Sequence, residues 1–265
     1  MRPALTALTR HRLREHFRVS RWLPVFAVLA GLTVGSVGRL GSFATPANTW
    51  DLLVRWLAEA RPIAVDWSLA FLVATLAVTF SPASAVERVR SRAATWWLAT
   101  VAATGVAAAV FTMVGAGVLL SEGLFGLRWS WAWSPLSRTD GLAHQLRALQ
   151  PPLLTAPAVL MSHALLLLFL YFWLLGLIQR TFVVLGLPNV LALAATLAVL
   201  WGGWAWYSSG VSRTVALWLP AAEVSLRFHL LNHVPWLVGV GYEGLWIAVW
   251  AAVGWLVLPG RDWPA

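Results

Sequence analysis

Long apolar runs with almost no charges, separated by shorter polar segments, dominate the hydropathy pattern of this chain. A helix that crosses a membrane needs about 20 mostly apolar residues, whereas a strand of a membrane barrel is short and alternates between apolar and polar positions. The continuous runs therefore predict membrane-spanning helices. Six runs qualify, of which the second and sixth are short: residues 22–37, 66–80, 93–120, 156–178, 189–207 and 243–258.

The composition agrees with this interpretation and limits the chemistry. Hydrophobic residues make up 60% of the 265 positions and charged residues 11%, against roughly 25% charged residues in an ordinary soluble domain. The absence of Cys excludes disulfides, thiol catalysis and Cys-based metal sites. Because no repeat, low-complexity tract or linker is visible, we predict a single all-α, polytopic membrane domain over residues 1–265.

The net charge of +9 comes entirely from Arg and is distributed unevenly between the two predicted sides of the membrane. The side that holds both termini carries eleven Arg against three acidic residues, whereas the other side carries eight Arg against seven. An excess of Arg marks the cytoplasmic side of a plasma (inner) membrane protein, so the N- and C-termini are predicted to be cytoplasmic. The segment before the first run has no cleavage-site pattern, so that run is expected to remain as a span. Because the positive charge is concentrated on one side of the membrane, it is explained by topology, and nucleic acid is not the expected partner.

Tryptophan is abundant, with 19 residues. Amphipathic rings favour the headgroup layer at the ends of membrane spans. Six of them lie near predicted span ends, where they are expected to mark the membrane boundaries: Trp22, Trp67, Trp96, Trp97, Trp204 and Trp206.

Residues 4–21 contain no Gly or Pro and predict an N-terminal cytoplasmic helix with four Arg on one face. Two interpretations remain open, a solvated basic stripe that only sets topology and an interfacial helix that contacts a cytoplasmic partner. The face consists of Arg10, Arg14, Arg18 and Arg21.

Interfacial helices are also predicted on the outer side. Residues 50–57 are apolar on one face and charged on the other, and residues 215–232 are expected to form a second such helix. The apolar stretch 234–240 is too short to span and is expected to enter the membrane only partway. The alternating Trp129, Trp131 and Trp133 favour an extended or interfacial segment.

Catalytic motifs are scarce. His163 and Asn189 are the strongest intramembrane polar candidates, although either could simply make a packing hydrogen bond. His229 and His233 have the i, i+4 spacing of metal ligands and follow Glu223, but the signature Glu of a metal hydrolase is missing, so no metal site is predicted. No nucleotide-binding loop is present. The chain is therefore not expected to be an enzyme or to hold a cofactor.

The order of these parts resembles the membrane permease subunit of type-2 ATP-binding-cassette transporters, a class that includes small six-span exporters. The resemblance rests on the helix before the first span, the charged connection 87–92, residues 175–193 around the turn between spans four and five, and residues 221–240 before the last span. The sequence departs from the family in its compact second connection and its long, Trp-rich outer loop after span three.

The resemblance implies a function as a transport subunit, with export the more expected direction. A second permease copy or paralogue and two cytoplasmic ATP-binding-cassette ATPase subunits, which bind ATP and Mg, would complete the transporter. The four Arg of the N-terminal face would belong to the connecting helix beside the ATPase. The coupling element would consist of Glu87, Arg88, Arg90 and Arg92.

Two other functions stay open. In one, the chain is a non-transport structural or accessory subunit of a larger membrane complex and its Trp-rich faces contact protein or lipid. In the other, it is an intramembrane enzyme that uses His163 or the pair His229 and His233.

Overall fold

The computed structural model describes most of the chain. Besides residues 6 and 9, the described residues are 19–42, 45–57, 60–79, 93–139, 156–210, 212–225, 228, 229, 232 and 234–257. Within them the fold is all-helical, apart from an isolated bridge between Asn48 and Arg128. The candidate metal ligand His233 lies outside these residues, and so do the side chains predicted to contact the ATPase: Arg10, Arg14, Arg18, Arg21, Glu87, Arg88, Arg90 and Arg92.

Ten helices of four or more residues follow one another along the described chain. They are α1 Val19–Gly41, α2 Thr49–Leu57, α3 Ser68–Thr79, α4 Ala93–Gly126, α5 Pro135–Thr139, α6 Pro157–Val184, α7 Asn189–Ser208, α8 Arg213–Ala216, α9 Pro220–Glu223 and α10 Trp236–Val257. A short turn, Ala60–Pro62, and a π-helical turn, Ile63–Trp67, lead directly into α3.

Five of these helices, α1, α4, α6, α7 and α10, are long and apolar enough to cross a membrane. They confirm the prediction of a multi-pass, all-helical membrane protein at this level. The second predicted run forms the shorter apolar helix Ile63–Thr75.

Helix α6 is the centre of the bundle. It packs against α4, α10 and α7, and also against the shorter α2 and α3. It continues past the predicted end of span four, so Arg180 lies within the helix rather than in a connection. The Arg180 side chain is buried and its Nη2 donates a hydrogen bond to the Thr75 carbonyl of α3 over 3.1 Å.

An aromatic cluster joins α1, α3 and α6 to α4. Phe111 of α4 is at its centre, with ring centroids 5.1–5.8 Å from those of its five neighbours. Offset and edge-to-face aromatic pairs add to the burial of apolar area. The neighbours are Trp22, Phe26, Trp67, Phe71 and Phe172.

The predicted boundary tryptophans divide into two groups. Trp22, Trp67, Trp96 and Trp97 are buried inside the protein, so their rings pack helices together instead of facing the headgroup layer. Trp206 is exposed and Trp204 is half-buried.

The stretch predicted as an outer interfacial helix is helical, as α2, and it packs on the protein along almost all of its length. Eight of its nine residues are buried. The Asp51 carboxylate accepts hydrogen bonds from the Asn48 backbone N–H, over 2.7 Å, and from the Ser137 hydroxyl. Trp50 Nε1 donates to the Ser130 carbonyl over 2.7 Å. The Trp-rich segment after α4 is non-helical, as predicted, and holds α2 in place.

The region before the last span differs from the prediction. Instead of one helix over 215–232, the described residues form two four-residue helices, α8 and α9, and residues 228 and 229 are helical as well. The helix breaks at Leu219, which is extended because the residue before a proline avoids helical geometry. The prediction of a separate partial entry over 234–240 is also wrong. Nothing interrupts the helix after Pro235, so Trp236 begins an unbroken 22-residue α10.

Helix α10 approaches α4 through a glycine. A Cβ added at Gly254 would collide with the Trp97 indole, whose Nε1 donates a hydrogen bond to the Ala251 carbonyl over 2.7 Å. Small residues allow membrane helices to approach closely. Such close packing stabilises helix association in a bilayer, where the hydrophobic effect does not favour contact between apolar helices.

We expect Gly254→Ala to destabilise the protein by about 1–3 kcal/mol, because the added methyl group forces the indole or α10 to shift. Gly244→Ala is the matched control, since the space around Gly244 is open and the residue is exposed in the same helix. Thermal unfolding of both variants in lipid nanodiscs measures the difference. Equal unfolding temperatures would contradict close packing at Gly254.

Candidate functional site

Five buried polar side chains form a line across the interior of the bundle, which we call the polar chain: Ser68, Tyr171, Glu243, Glu223 and His229. They come from α3, α6, α10, α9 and the segment after α9. All five are at most 1% exposed. Polar and ionisable side chains in a membrane bundle are costly and commonly mark functional positions.

The polar chain begins at the π-helical turn. The Ser68 hydroxyl donates a hydrogen bond to the Ile63 carbonyl over 2.6 Å and lies 3.2 Å from the Tyr171 hydroxyl. The Ser68 backbone N–H points to the Ile63 and Val65 carbonyls. Ser68 thus closes the widened turn and links it to the central helix. Single π-helical turns are frequent at functional sites.

Glu243 is the middle member. It lies in the third turn of α10, is completely buried, and neither of its carboxylate oxygens has a hydrogen-bond partner. It is close enough to Tyr171, Tyr242 and Glu223 to interact with them electrostatically. A buried carboxylate with no partner is the costliest polar feature that a membrane helix can carry.

Glu223 and His229 form the other end. His229 Nε2 lies 2.8 Å from the Glu223 backbone carbonyl and 3.6 Å from its Oε2. The first distance is that of a hydrogen bond, in which Nε2–H donates to the carbonyl. The second is too long, so the Glu223 carboxylate oxygens have no hydrogen-bond partner.

Burial has opposite effects on these two residues. It raises the pKa of Glu223 to about 7. It lowers the pKa of His229, an effect that the hydrogen bond to the Glu223 carbonyl partly opposes. Both shifts favour the uncharged form, because an apolar environment penalises charge of either sign.

A glycine allows α10 to reach this end of the polar chain. A Cβ added at Gly239 would lie 2.6 Å from the Glu223 carbonyl oxygen and 2.7 Å from His229 Nε2. Real side chains do not approach so closely, so any larger residue would push α10 away from the segment 220–229. Gly239 therefore sets how closely α10 approaches Glu223 and His229.

The predicted intramembrane polar residues lie apart from the polar chain. His163 is half-buried and stacks on Trp236 at the start of α10, with ring centroids 4.1 Å apart and planes 14° apart. Asn189 is the first residue of α7, and its Oδ1 is buried without a hydrogen-bond partner.

Of the three residues whose spacing resembles that of metal ligands, the structure describes Glu223 and His229, and His233 lies outside the described residues. The His229 ring makes its hydrogen bond to the backbone carbonyl of Glu223, not to the Glu223 carboxylate. Among the described residues, no three His, Asp or Glu side chains are grouped closely enough to hold a metal ion.

Three members of the polar chain were not predicted as site residues from the sequence. Glu243 was placed at the end of a span because the apolar stretch before it was interpreted as a separate element. Counting a full span from Trp236 would have placed it inside the helix. Ser68 and Tyr171 gave no signal, because isolated hydroxyls in apolar runs are common.

A second feature is a cleft of about 360 Å³ between α1 and α3. Its walls are apolar and include exposed side chains of Val28 and Leu69, and Asp66 of the π-helical turn is its acidic residue. The π-helical turn therefore borders both the cleft and the polar chain.

Comparison with protein-family models, with curated proteins and with solved structures finds no match to this chain.

We expect Glu223→Gln to change how stability depends on pH. The raised pKa of Glu223 means that its protonated form is stabilised in the folded state, and this contribution is lost as the pH rises from the unfolded value through about 7. At about pH 5 the variant and the wild type should therefore unfold at similar temperatures, whereas at about pH 8 the variant should be the more stable. The contribution of His229 is common to both proteins and cancels.

Tyr171→Phe is the matched control, since it removes the hydroxyl near Ser68 and leaves Glu223 in place. Its stability should differ from that of the wild type by a similar amount at both pH values. A pH-independent difference between Glu223→Gln and the wild type would contradict the buried position of this carboxyl group.

Proposed function

We propose that this chain is the membrane-spanning permease subunit of an ATP-binding-cassette exporter, powered by ATP hydrolysed on separate cytoplasmic ATPase subunits. A second permease copy or paralogue completes the pathway across the lipid bilayer. The substrate class stays open.

The observation that carries the proposal is the packing of the segment between the last two long helices. Helix α9 contacts both α7 and α10, so the chain folds back onto the bundle before it enters the last helix. The family that the sequence resembles has an outer helical segment before its last span. The proposal assigns α8 and α9 to that role, in the outer membrane interface, together with α2.

The length of the segment around α3 supports a sixth span. Ala60–Pro62, Ile63–Trp67 and Ser68–Thr79 follow one another without a gap and contain 20 helical residues. At about 1.5 Å per residue they rise about 30 Å, which matches the bilayer core. With six spans, both termini lie on one side, and the distribution of Arg puts that side in the cytoplasm of a plasma (inner) membrane.

In this proposal the cytoplasmic connection after α3 docks on the ATPase through Glu87, Arg88, Arg90 and Arg92. The N-terminal face of Arg10, Arg14, Arg18 and Arg21 lies beside it as the connecting helix. ATPase closure can bias the membrane helices only through contacts that differ between the two states. The chain itself needs no cofactor, since ATP and Mg bind to the partner.

The cleft between α1 and α3 is the best described surface for an apolar substrate. It lies beside the π-helical turn, a backbone irregularity of the kind that marks functional positions. A movement of α3 driven from the connection that follows it would change the width of the cleft.

We expect an ATPase subunit to co-purify with the tagged chain in mild detergent. The double charge reversal Arg88→Glu and Arg90→Glu should weaken this association and lower the ATPase activity of the reconstituted complex by about tenfold or more, because like charges then face the docking surface. Arg39→Glu is the control, because Arg39 lies at the opposite end of the first span and should leave both readouts unchanged.

An unchanged association and activity in the double variant would overturn the coupling role. Co-purification of haem- or quinone-binding subunits without an ATPase would replace the proposal by the alternative, an accessory subunit of a larger membrane complex. That alternative is consistent with the exposed Trp131 and Trp218.

A further inference from the structure

Two buried carboxyl groups from helices that pack against each other are close enough to interact electrostatically in the interior of the bundle. Glu223 ends the short helix α9 and Glu243 lies in the third turn of α10. Both side chains are 0% exposed, and none of their four oxygens has a hydrogen-bond partner within the part of the chain that the structure describes. Glu243 is therefore a buried acid without a hydrogen-bond partner among the described residues, and it interacts electrostatically with a second buried acid.

Such an arrangement cannot hold two negative charges. The effective cost of burying an ion is several kcal/mol even after relaxation, unless a partner compensates it. Two adjacent carboxylates raise this cost further, because like charges repel most strongly where water is excluded. A positive charge must therefore accompany the pair.

The surroundings supply no permanent positive charge among the described side chains. The titratable groups near the pair are Tyr171 on α6, Tyr242 on α10 and His229 on the segment after α9. His163 of α6 stacks on Trp236, the first residue of α10. The side chains of Arg213 and Arg227 lie outside the described residues.

We propose that Glu223 and Glu243 together form a proton-binding site. One carboxylate takes a proton from solvent and becomes a carboxylic acid, which removes one of the two buried negative charges. No other bond is made or broken. A proton fits this site better than a metal ion, because among the described residues no third acid or histidine completes a coordination shell.

The bound proton joins α9 to α10. Gly239 brings the backbone of α10 against the Glu223 carbonyl, so the two carboxyl groups cannot move apart while this contact is made. Loss of the proton places two negative charges in the contact and favours its opening. The site thus links proton release to a movement of α9 relative to α10, whether or not an ATPase partner is bound.

Infrared difference spectroscopy of the full chain in phosphatidylcholine nanodiscs tests the proposal. A protonated carboxyl group has a C=O stretching band separate from that of a carboxylate, and the band shifts in heavy water. We expect the wild type to show this band at neutral pH and to lose intensity as the pH rises. Glu223→Gln and Glu243→Gln should each reduce the band, and the double variant should lack it.

Asp51→Asn is the matched control, because the Asp51 carboxylate is buried but accepts hydrogen bonds from Asn48 N–H and the Ser137 hydroxyl. It should leave the band unchanged. If a glutamine variant does not fold, the pH titration of the wild-type band in heavy water still decides the question.

Three results would overturn the proposal. One is the absence of a titrating carboxylic acid band in the wild type. Another is a band that persists in the folded double variant. The third is a band that sodium or potassium chloride abolishes at constant pH, since this would assign the site to a metal cation.

Discussion

Close packing of α10 at two glycines is the constraint on which the rest of this structure depends. Near one end, Gly254 admits the Trp97 indole of α4, and near the other, Gly239 admits the Glu223 carbonyl and the His229 ring. In a bilayer, helices gain little from burying apolar surface against each other, so such contacts and hydrogen bonds must supply the association. Between these two contacts Glu243 is held facing inward.

The same contacts explain why polar groups lie inside an otherwise apolar bundle. From the π-helical turn at Ser68 to His229, the polar chain crosses α3, α6 and α10 and ends beside α9. Ser68 and His229 Nε2 make hydrogen bonds, whereas the two carboxyl groups have no hydrogen-bond partner among the described residues. A bundle that only needed stability would place apolar residues there. The polar chain thus points to a functional movement between α9 and α10, which is also where the proposed permease would open.

The long apolar runs predicted the fold class and six spans, of which five are helices long enough to cross a membrane. A continuous apolar run of this length is compatible with few structures other than a membrane helix. Local breaks were harder to predict. The segment 215–232 was expected to be one helix although Pro220 splits it, and residues 234–240 were separated from a span that they begin. The candidate site depends on these details. The approach of Glu223 to Glu243 and the burial of tryptophans are tertiary contacts, which periodicity in a single chain does not encode.

Hydrogen–deuterium exchange of the segment 220–225 in nanodiscs tests the central claim most directly, because the amides of Ala222, Glu223 and Val224 are hydrogen-bonded where Gly239 holds α10 against them. The account predicts slow exchange in the wild type and in Gly241→Ala, whose surroundings are open, and faster exchange in Gly239→Ala. Equal exchange in the two variants, or fast exchange in the wild type, would contradict it.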